Sequence, residues 1–367
     1  MRSPLQIKTI QLKGFRCFEN EQLSLDAPLV LIEGDNGVGK TSLLEAVHYL
    51  CYLRSFRTHK TQEVVRFANP GFFIKIVFTS QDSMGIDEQH ELQVGFEAKK
   101  RSVKMNQKSI RSYKELMDYF RVVTLTEDDL SLIQGAPEIR RSFIDQVLVL
   151  ENPDLAQSLR EYRTIVSNKN ALLHKHTLAQ DLYDVWTDQV WYASRDLQEH
   201  RKAALKQLEQ NVNELLKSAF GSDIVITFEY MAQKKSDSFE REEFFAKNPM
   251  LYDDERRFGR ALFGAHLDDF SIIFQHKKSR DYASRGQQKL IIVLIKIAQL
   301  QHLSKKRGSA IFLLDDFMTD FDENTVKILV SLLADLPSQL IFTTPSRHTS
   351  LTAQIAEKPH LKLKLPN

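Results

Sequence analysis

The sequence predicts an α/β protein, with a mixed sheet, an antiparallel meander beside it and a long helical insertion. Three observations carry this. A strand-like run, Leu29-Val30-Leu31-Ile32, enters the glycine-rich turn Gly34-Asp35-Asn36-Gly37-Val38-Gly39-Lys40-Thr41 and leaves in a helical pattern at Leu43, Leu44, Val47 and Leu50. Strand, turn and helix in that order are the setting a phosphate-binding loop requires. Far downstream, Ile311-Phe312-Leu313-Leu314-Asp315-Asp316 reads as a buried strand ending in acid, at the strand end where open α/β sheets bind ligands. Between the two, strand patterns stop after residue 126, and apolar residues recur every three to four positions, the spacing of long helices.

Taken in order, Leu5, Ile7, Ile10 and Leu12 alternate with polar residues as a first strand, and residues 22–25 form a second. The turn Asp26-Ala27-Pro28 then leads into the strand that feeds the phosphate loop. Residues 72–78, 91–97 and 100–105 are three more strand patterns separated by polar stretches, and residues 121–126 are a short further one. Leu155, Leu159, Tyr162 and Val166, then Leu205, Leu208, Val212 and Leu215, predict two long helices. If the second runs from about residue 178 to 217, it is roughly 60 Å long, and the pair is expected to project as an arm; a bundle folded against the sheet is the alternative. Residues 224–228 read as a strand, residues 234–243 as loop or exposed helix, and residues 259–268 carry no clear pattern. The last hundred residues alternate helix (290–303), strand (310–316), helix (325–334) and strand (339–344), which implies parallel pairing. The expected division is an ATP-binding head from residues 1–130 and 285–367 around a helical lobe, residues 131–284.

Composition narrows the class. The 367 residues suffice for two domains or one large one, and a net charge of +2 does not by itself mark a nucleic-acid binder, so DNA contact would need local clustering. Cys17 and Cys51 form no CxxC pair, which fits a reducing compartment and offers no zinc or redox motif. There is no secretory start, and Lys296 breaks the most apolar late run; the expectation is a cytoplasmic protein without a membrane span.

The chemistry follows from residue types. Backbone N–H groups of a loop free of side chains can approach phosphates closely, and a helix opening at Lys40 adds its unpaired amides. The Lys40 ammonium reaches the outer phosphates and the Thr41 hydroxyl ligates Mg²⁺. Chance would produce the full pattern in roughly one chain of this size in a hundred. Asp315 is placed to hold Mg²⁺ opposite Thr41, and Asp316 to accept a proton from, or orient, the attacking water; acids after a strand also cap the next helix. The segment Ser284-Arg285-Gly286-Gln287-Gln288 precedes the helix leading to the acidic strand. Taken alone, a serine N-cap and a turn explain it.

In this order, the three segments resemble the phosphate loop, signature loop and acidic strand of ABC-type ATPases. The resemblance implies two heads dimerising head to tail across two ATP molecules, with Ser284, Gly286 and Gln287 of one subunit meeting the γ-phosphate held by the other. It places Asp322 where that family carries its D-loop aspartate, and Thr343 or Thr344 where many members carry a switch histidine. At finer grain the chain resembles the RecF family of bacterial DNA replication and repair proteins along nearly its whole length. The strings are Phe15-Arg16 with Phe18, Arg54-Ser55-Phe56-Arg57-Thr58, Asp129-Leu130, Gly135-Ala136-Pro137, Arg140-Arg141-Ser142-Phe143-Ile144-Asp145, Tyr162 and Asn168 with Asn170, Leu172 and Leu173, and Ser284 to Gln288. Departures are Glu127 for a proline, Lys169 for an arginine, and Met318-Thr319-Asp320-Phe321-Asp322 for Leu-Ser-Glu-Leu-Asp.

The resemblance implies an ATP-binding set of Gly34, Asp35, Asn36, Gly37, Val38, Gly39, Lys40, Thr41 and Ser42 with Arg16. It further implies a slow ATPase switch, sequence-independent binding of single- and double-stranded DNA near gaps and junctions, and work with RecO and RecR in loading RecA during the SOS response. Basic clusters available to phosphates are Lys99, Lys100, Arg101 and Lys104; Lys277, Lys278 and Arg280; and Lys305, Lys306 and Arg307. The resemblance puts Arg54, Arg57, Arg140 and Arg141 near the nucleotide site or a DNA-facing groove. A transporter nucleotide-binding subunit and a short SMC-like chromosome-organising ATPase are the competing readings.

Overall fold

The computed structural model describes residues 5–81, 85–175, 179–221, 224–316, 321–345 and 360–365. In chain order the strands and helices are β1 (Gln6–Phe15), β2 (Phe18–Ser24), β3 (Leu29–Gly34), α1 (Lys40–Tyr52), β4 (Gly71–Gln81), β5 (Asp87–Glu97), β6 (Lys100–Met105), β7 (Lys108–Ser109), α2 (Tyr113–Tyr119) and β8 (Val122–Leu125). There follow α3 (Ser131–Gln134), α4 (Pro137–Glu151), α5 (Leu155–Leu173), α6 (Gln180–Phe220), β9 (Ile226–Met231), α7 (Arg241–Lys247), α8 (Leu251–Phe258), β10 (Asp269–Phe274), β11 (Lys277–Lys278) and α9 (Ser279–Tyr282). Last come α10 (Arg285–Arg307), β12 (Ile311–Asp315), α11 (Glu323–Ala334), β13 (Leu340–Pro345) and β14 (Leu361–Lys364). The chain divides into two compact units, one of residues 1–129, 218–220 and 289–367, the other of residues 130–217 and 221–288.

The first unit holds two sheets. An antiparallel meander runs β2-β1-β4-β5-β6-β7, and a parallel sheet runs β14-β3-β13-β12-β8. In the meander, Phe72, Ile74, Ile76 and Phe78 on β4 and Leu92, Val94 and Phe96 on β5 are buried at every second position, as a one-sided strand requires. On β1, Ile7 and Ile10 are both buried although three residues apart, because a bulge between Ile7 and Thr9 shifts the register. Helix α1 contacts β3, β13, β12 and β8 of the parallel sheet and β5 of the meander. It is therefore buried nearly all round, with Leu43, Leu44, Val47, Tyr49, Leu50 and Cys51 wholly inaccessible. Strands β3, β8, β12 and β13 are buried almost throughout, as parallel strands covered on both faces are, whereas β14 at the edge alternates half-buried leucines with exposed lysines.

The second unit is built around α6, which is 41 residues long, about 60 Å at 1.5 Å per residue. Different neighbours hold it along its length. Tyr183 donates to Glu255 of α8, Ser194 to Tyr162 of α5, and Arg201 pairs with Asp145 of α4, while Glu209 and Asn213 bond the backbone of β9. The expected pair of helices is present, but α6 is not a bare partner of α5. Its apolar stripe is covered by elements downstream, with Trp191 packed on Phe244, Phe245 and Phe263. Residues 234–243 end in α7, which buries Phe244 in this cluster. Residues 259–268 have no regular structure yet bury Ala261, Phe263, Ala265 and Asp268, which is why their sequence shows no period. No described helix is long and apolar enough to cross a membrane.

Candidate functional site

The register of the parallel sheet assembles the site. Strand β13 lies between β3, which feeds the phosphate loop, and β12, which carries the acids; Asp315 faces Thr343, and Thr343 faces Ile32. The carboxyl ends of three strands thus converge where Gly34 opens the loop. Within the loop, Gly37 and Gly39 adopt φ of +92° and +102°, a region L side chains rarely enter. At Gly39 a Cβ would also lie 2.5 Å from the Cys17 sulfur and 3.2 Å from the Phe18 ring, so glycine is required twice over. Gly39 caps α1, whose first residue is Lys40. Asp35, Asn36 and Gly37 are exposed, Gly34, Val38, Gly39 and Thr41 are half-buried, and Ser42 is buried.

The Lys40 side chain is 5% exposed, and its Nζ donates to the carbonyls of Gly34 at 2.8 Å and Asp35 at 3.1 Å. The loop therefore curls around its own ammonium, a position from which the charge can meet a phosphate tail. The Thr41 hydroxyl donates to Asp315 Oδ1 at 3.1 Å. Two residues 274 apart in sequence meet as expected, and their hard oxygen donors suit Mg²⁺. Asp316 sits next to them with φ of +48°.

Other partners were not legible in the sequence. The Arg16 guanidinium forms a two-pronged ion pair with Glu45 of α1, at 2.8 Å and 2.5 Å, and donates to the Glu63 carbonyl. Glu45 is fully buried and also lies 3.6 Å from Arg57. The Arg54 to Thr58 segment is thus tied to the phosphate-loop helix through one carboxylate that carried no motif. On α10, Lys289 pairs with Glu127, and Lys296 with Asp129 at 2.7 Å, so the charge that breaks the apolar run of that helix is buried and paired. Thr343, 3% exposed, donates to Asp315 at 2.7 Å and accepts from the Asp316 backbone N–H at 3.0 Å.

At the start of α10, Ser284 and Gln287 form a reciprocal capping box: the Ser284 N–H donates to the Gln287 side chain at 2.9 Å, and the Gln287 N–H to the Ser284 hydroxyl at 3.3 Å. Ser284, Gly286 and Gln287 are all exposed, and a Cβ on Gly286 would meet nothing. Gln288 is buried and donates to the carbonyls of Ser279 and Ala283. Asp322 caps α11 by accepting from Thr325; Met318, Thr319 and Asp320 lie outside the described residues.

The basic residues differ in what they already hold. Arg140 forms a two-pronged pair with Asp269, and Arg141 donates to the Asp268 carbonyl; both therefore bind α4 to the start of β10 instead of standing free for phosphates. Arg101 donates to the Leu53 carbonyl, and Arg307 pairs with Asp118. Lys277, Lys278 and Arg280 are exposed. A cavity of about 380 Å³ in the second unit is lined by Arg140, Asp269, Lys278 and Arg280 among others and shares no residue with the phosphate loop.

Comparison with known proteins identifies the family. The family model described as RecF/RecN/SMC N terminal domain matches residues 6–358. The DNA replication and repair protein RecF of Desulfitobacterium hafniense is 28% identical over 355 residues, covering 94% of each chain. RecF of Citrifermentans bemidjiense is 25% identical over 365 residues, covering 98% of each. Among solved structures, the recombination mediator RecF with ATP, of the RecFOR pathway, superposes with a TM-score of 0.82 at 24% identity and covers 95% of each chain. The Smc head of Pyrococcus furiosus, with an extended coiled coil, gives 0.54 at 14% identity, covering 95% of this chain and 92% of that one. The phosphate loop, the acidic strand beside it and a head fold shared with these proteins lead to one conclusion: this chain belongs to the RecF/RecN/SMC N terminal domain family, as a RecF-like member with an ABC-type ATPase head.

Proposed function

We propose that the protein is an ATP-controlled DNA-binding factor of cytoplasmic recombinational repair. The observation that carries this reading is the meeting of Thr41 and Asp315 beside the Lys40 loop, in a chain that matches RecF proteins over nearly its full length. ATP with Mg²⁺ supplies the binding energy that distinguishes an open from a closed state. Gly34 to Ser42 bind the phosphates through backbone amides, Lys40 neutralises charge on the outer phosphates, and Thr41 with Asp315 holds the metal. Asp316 takes the proton of, or orients, the attacking water. Arg16 serves this site by holding Glu45, which orders the first turns of α1.

Closure is homodimerisation, with Ser284, Gly286 and Gln287 completing the partner's site. Weak, DNA-stimulated hydrolysis reopens the dimer. The DNA, single- or double-stranded, is held through its phosphates without base reading, near gaps and junctions, and the protein acts with RecO and RecR to help RecA load in the SOS response. The solution mass tests this directly. A shift from monomer to dimer with ATP, strengthened by DNA, is expected, and a monomer under all conditions would refute the clamp.

A further inference from the structure

We propose that Thr343 is a positioning residue for both acids of the nucleotide site, an inference that rests on the ATPase reading above. Its hydroxyl stands at the junction of the two. It accepts the Asp316 N–H at 3.0 Å and donates to Asp315 Oδ1 at 2.7 Å; the alternative acceptor, the Leu314 carbonyl, is farther at 3.5 Å. A hydroxyl has one proton and two lone pairs, so a single oxygen serves both neighbours. The Thr41 hydroxyl donates to the same Asp315 oxygen at 3.1 Å. Asp315 Oδ1 is thus clamped between two hydroxyls, which fixes the rotation of its carboxyl group.

The effect on Asp316 runs through the backbone. Asp316 has φ of +48°, a left-handed conformation uncommon for residues with a Cβ, though Asp and Asn enter it more readily than others. The Thr343 hydroxyl helps hold it there by taking the Asp316 N–H. The register explains why this position can do so: Thr343 faces Asp315 on one side and Ile32, two residues before Gly34, on the other. The resemblance to ABC-type ATPases places a switch histidine at Thr343 or Thr344. Here Thr343 is 3% exposed with its hydroxyl engaged, so it acts through the acids and does not itself touch the phosphate. Mg²⁺ demands near-ideal geometry of its ligands, and partners that orient metal ligands affect metal affinity by about 10–100-fold.

The test compares Thr343→Val, which keeps the shape and removes the hydroxyl, with Thr343→Ser, which keeps the hydroxyl. Binding of a fluorescent ATP analogue is measured in EDTA and then against increasing Mg²⁺, beside steady-state turnover. Thr343→Val is expected to bind metal-free nucleotide within about twofold of the parent, to need about tenfold more Mg²⁺ for half-saturation and to turn over more slowly; Thr343→Ser is expected to restore both. If Thr343→Val does not fold, Thr343→Ala against Thr343→Ser, which differ by one oxygen, gives the same comparison. A Mg²⁺ dependence that does not move when the hydroxyl is lost overturns the proposal. Failure of the parent to bind the analogue at all is a different result, which overturns the phosphate-loop reading itself.

Discussion

At the level of single residues, Lys40 holds its ammonium on the Gly34 and Asp35 carbonyls, contacts that a phosphate tail can take over without moving the helix. Lys40→Met removes the charge and keeps the stem, so ATP turnover and ATP-dependent DNA binding should fall by about a hundredfold or more while the fold persists. DNA affinity unchanged in that variant would sink the ATP switch. Asp316→Asn tests the other half of the chemistry with little backbone cost, because asparagine tolerates the left-handed region. It should bind ATP and dimerise but hydrolyse slowly; lost ATP binding would make Asp316 a metal or structural group instead. His48 offers a pH test. Burial, reinforced by Arg54 and Lys296, pushes its imidazole down to about 3, against about 6.5 in an unfolded chain. Between those values only the unfolded chain takes the proton, so stability of the first unit falls by about 1.4 kcal/mol per pH unit on acidification, and this term vanishes above pH 6.5. Urea unfolding from pH 7 to 4 should show His48→Gln with a slope smaller by about one proton, and equal slopes would refute the assignment.

At the level of elements, the second unit is pinned by a charge pair that no periodicity announces. Lys169 of α5 and Glu255 of α8 meet at 2.7 Å with both side chains inaccessible, and the Glu255 oxygens also accept from Tyr183 and the Leu262 N–H. Burial pulls the Lys169 ammonium down and Glu255 opposes it. Lys169→Met strands a buried carboxylate and should cost about 3–5 kcal/mol, whereas Lys169→Met with Glu255→Gln should recover much of the loss, since the amide oxygen can accept from the Leu262 N–H while the amide NH2 donates to the Tyr183 hydroxyl. Chemical denaturation of the two variants measures the coupling. A cost below about 1 kcal/mol for Lys169→Met would mean the pair contributes no more than a surface bridge.

At the level of the whole molecule, the expected arrangement has each signature loop serving the other subunit. Ser284→Arg should leave ATP binding by the monomer near normal and block dimerisation, because a bulky cation enters the closed interface. Ser284 also caps α10, so Ser284→Ala is the control: it loses about 1 kcal/mol of cap and should still dimerise. Light scattering with ATP reads both. Mixing Ser284→Arg with Lys40→Met subunits gives heterodimers with one doubly defective and one intact site, so partial rescue of hydrolysis is expected if the interface tolerates a single Arg. A Ser284→Arg protein that dimerises as the parent does would refute the head-to-tail arrangement.

Features written in consecutive residues were legible from the chain alone. The phosphate loop, the acid-ended strand, the meander and the long α6 stripe are set by local backbone needs, by glycine at positive φ and by periods of 2 and 3.6 that any stretch displays alone. Tertiary structure decided the partners. Glu45 under Arg16, Thr343 beside Asp315, Lys289 and Lys296 on the Glu127 to Asp129 turn, and the buried segment 259–268 against α6 have no local signature. Thr343 and Asp315 lie 28 residues apart in sequence, and Lys289 and Glu127 lie 162 apart. Strand register and the need to pair every buried charge, not the spacing of residues along the chain, bring such groups together.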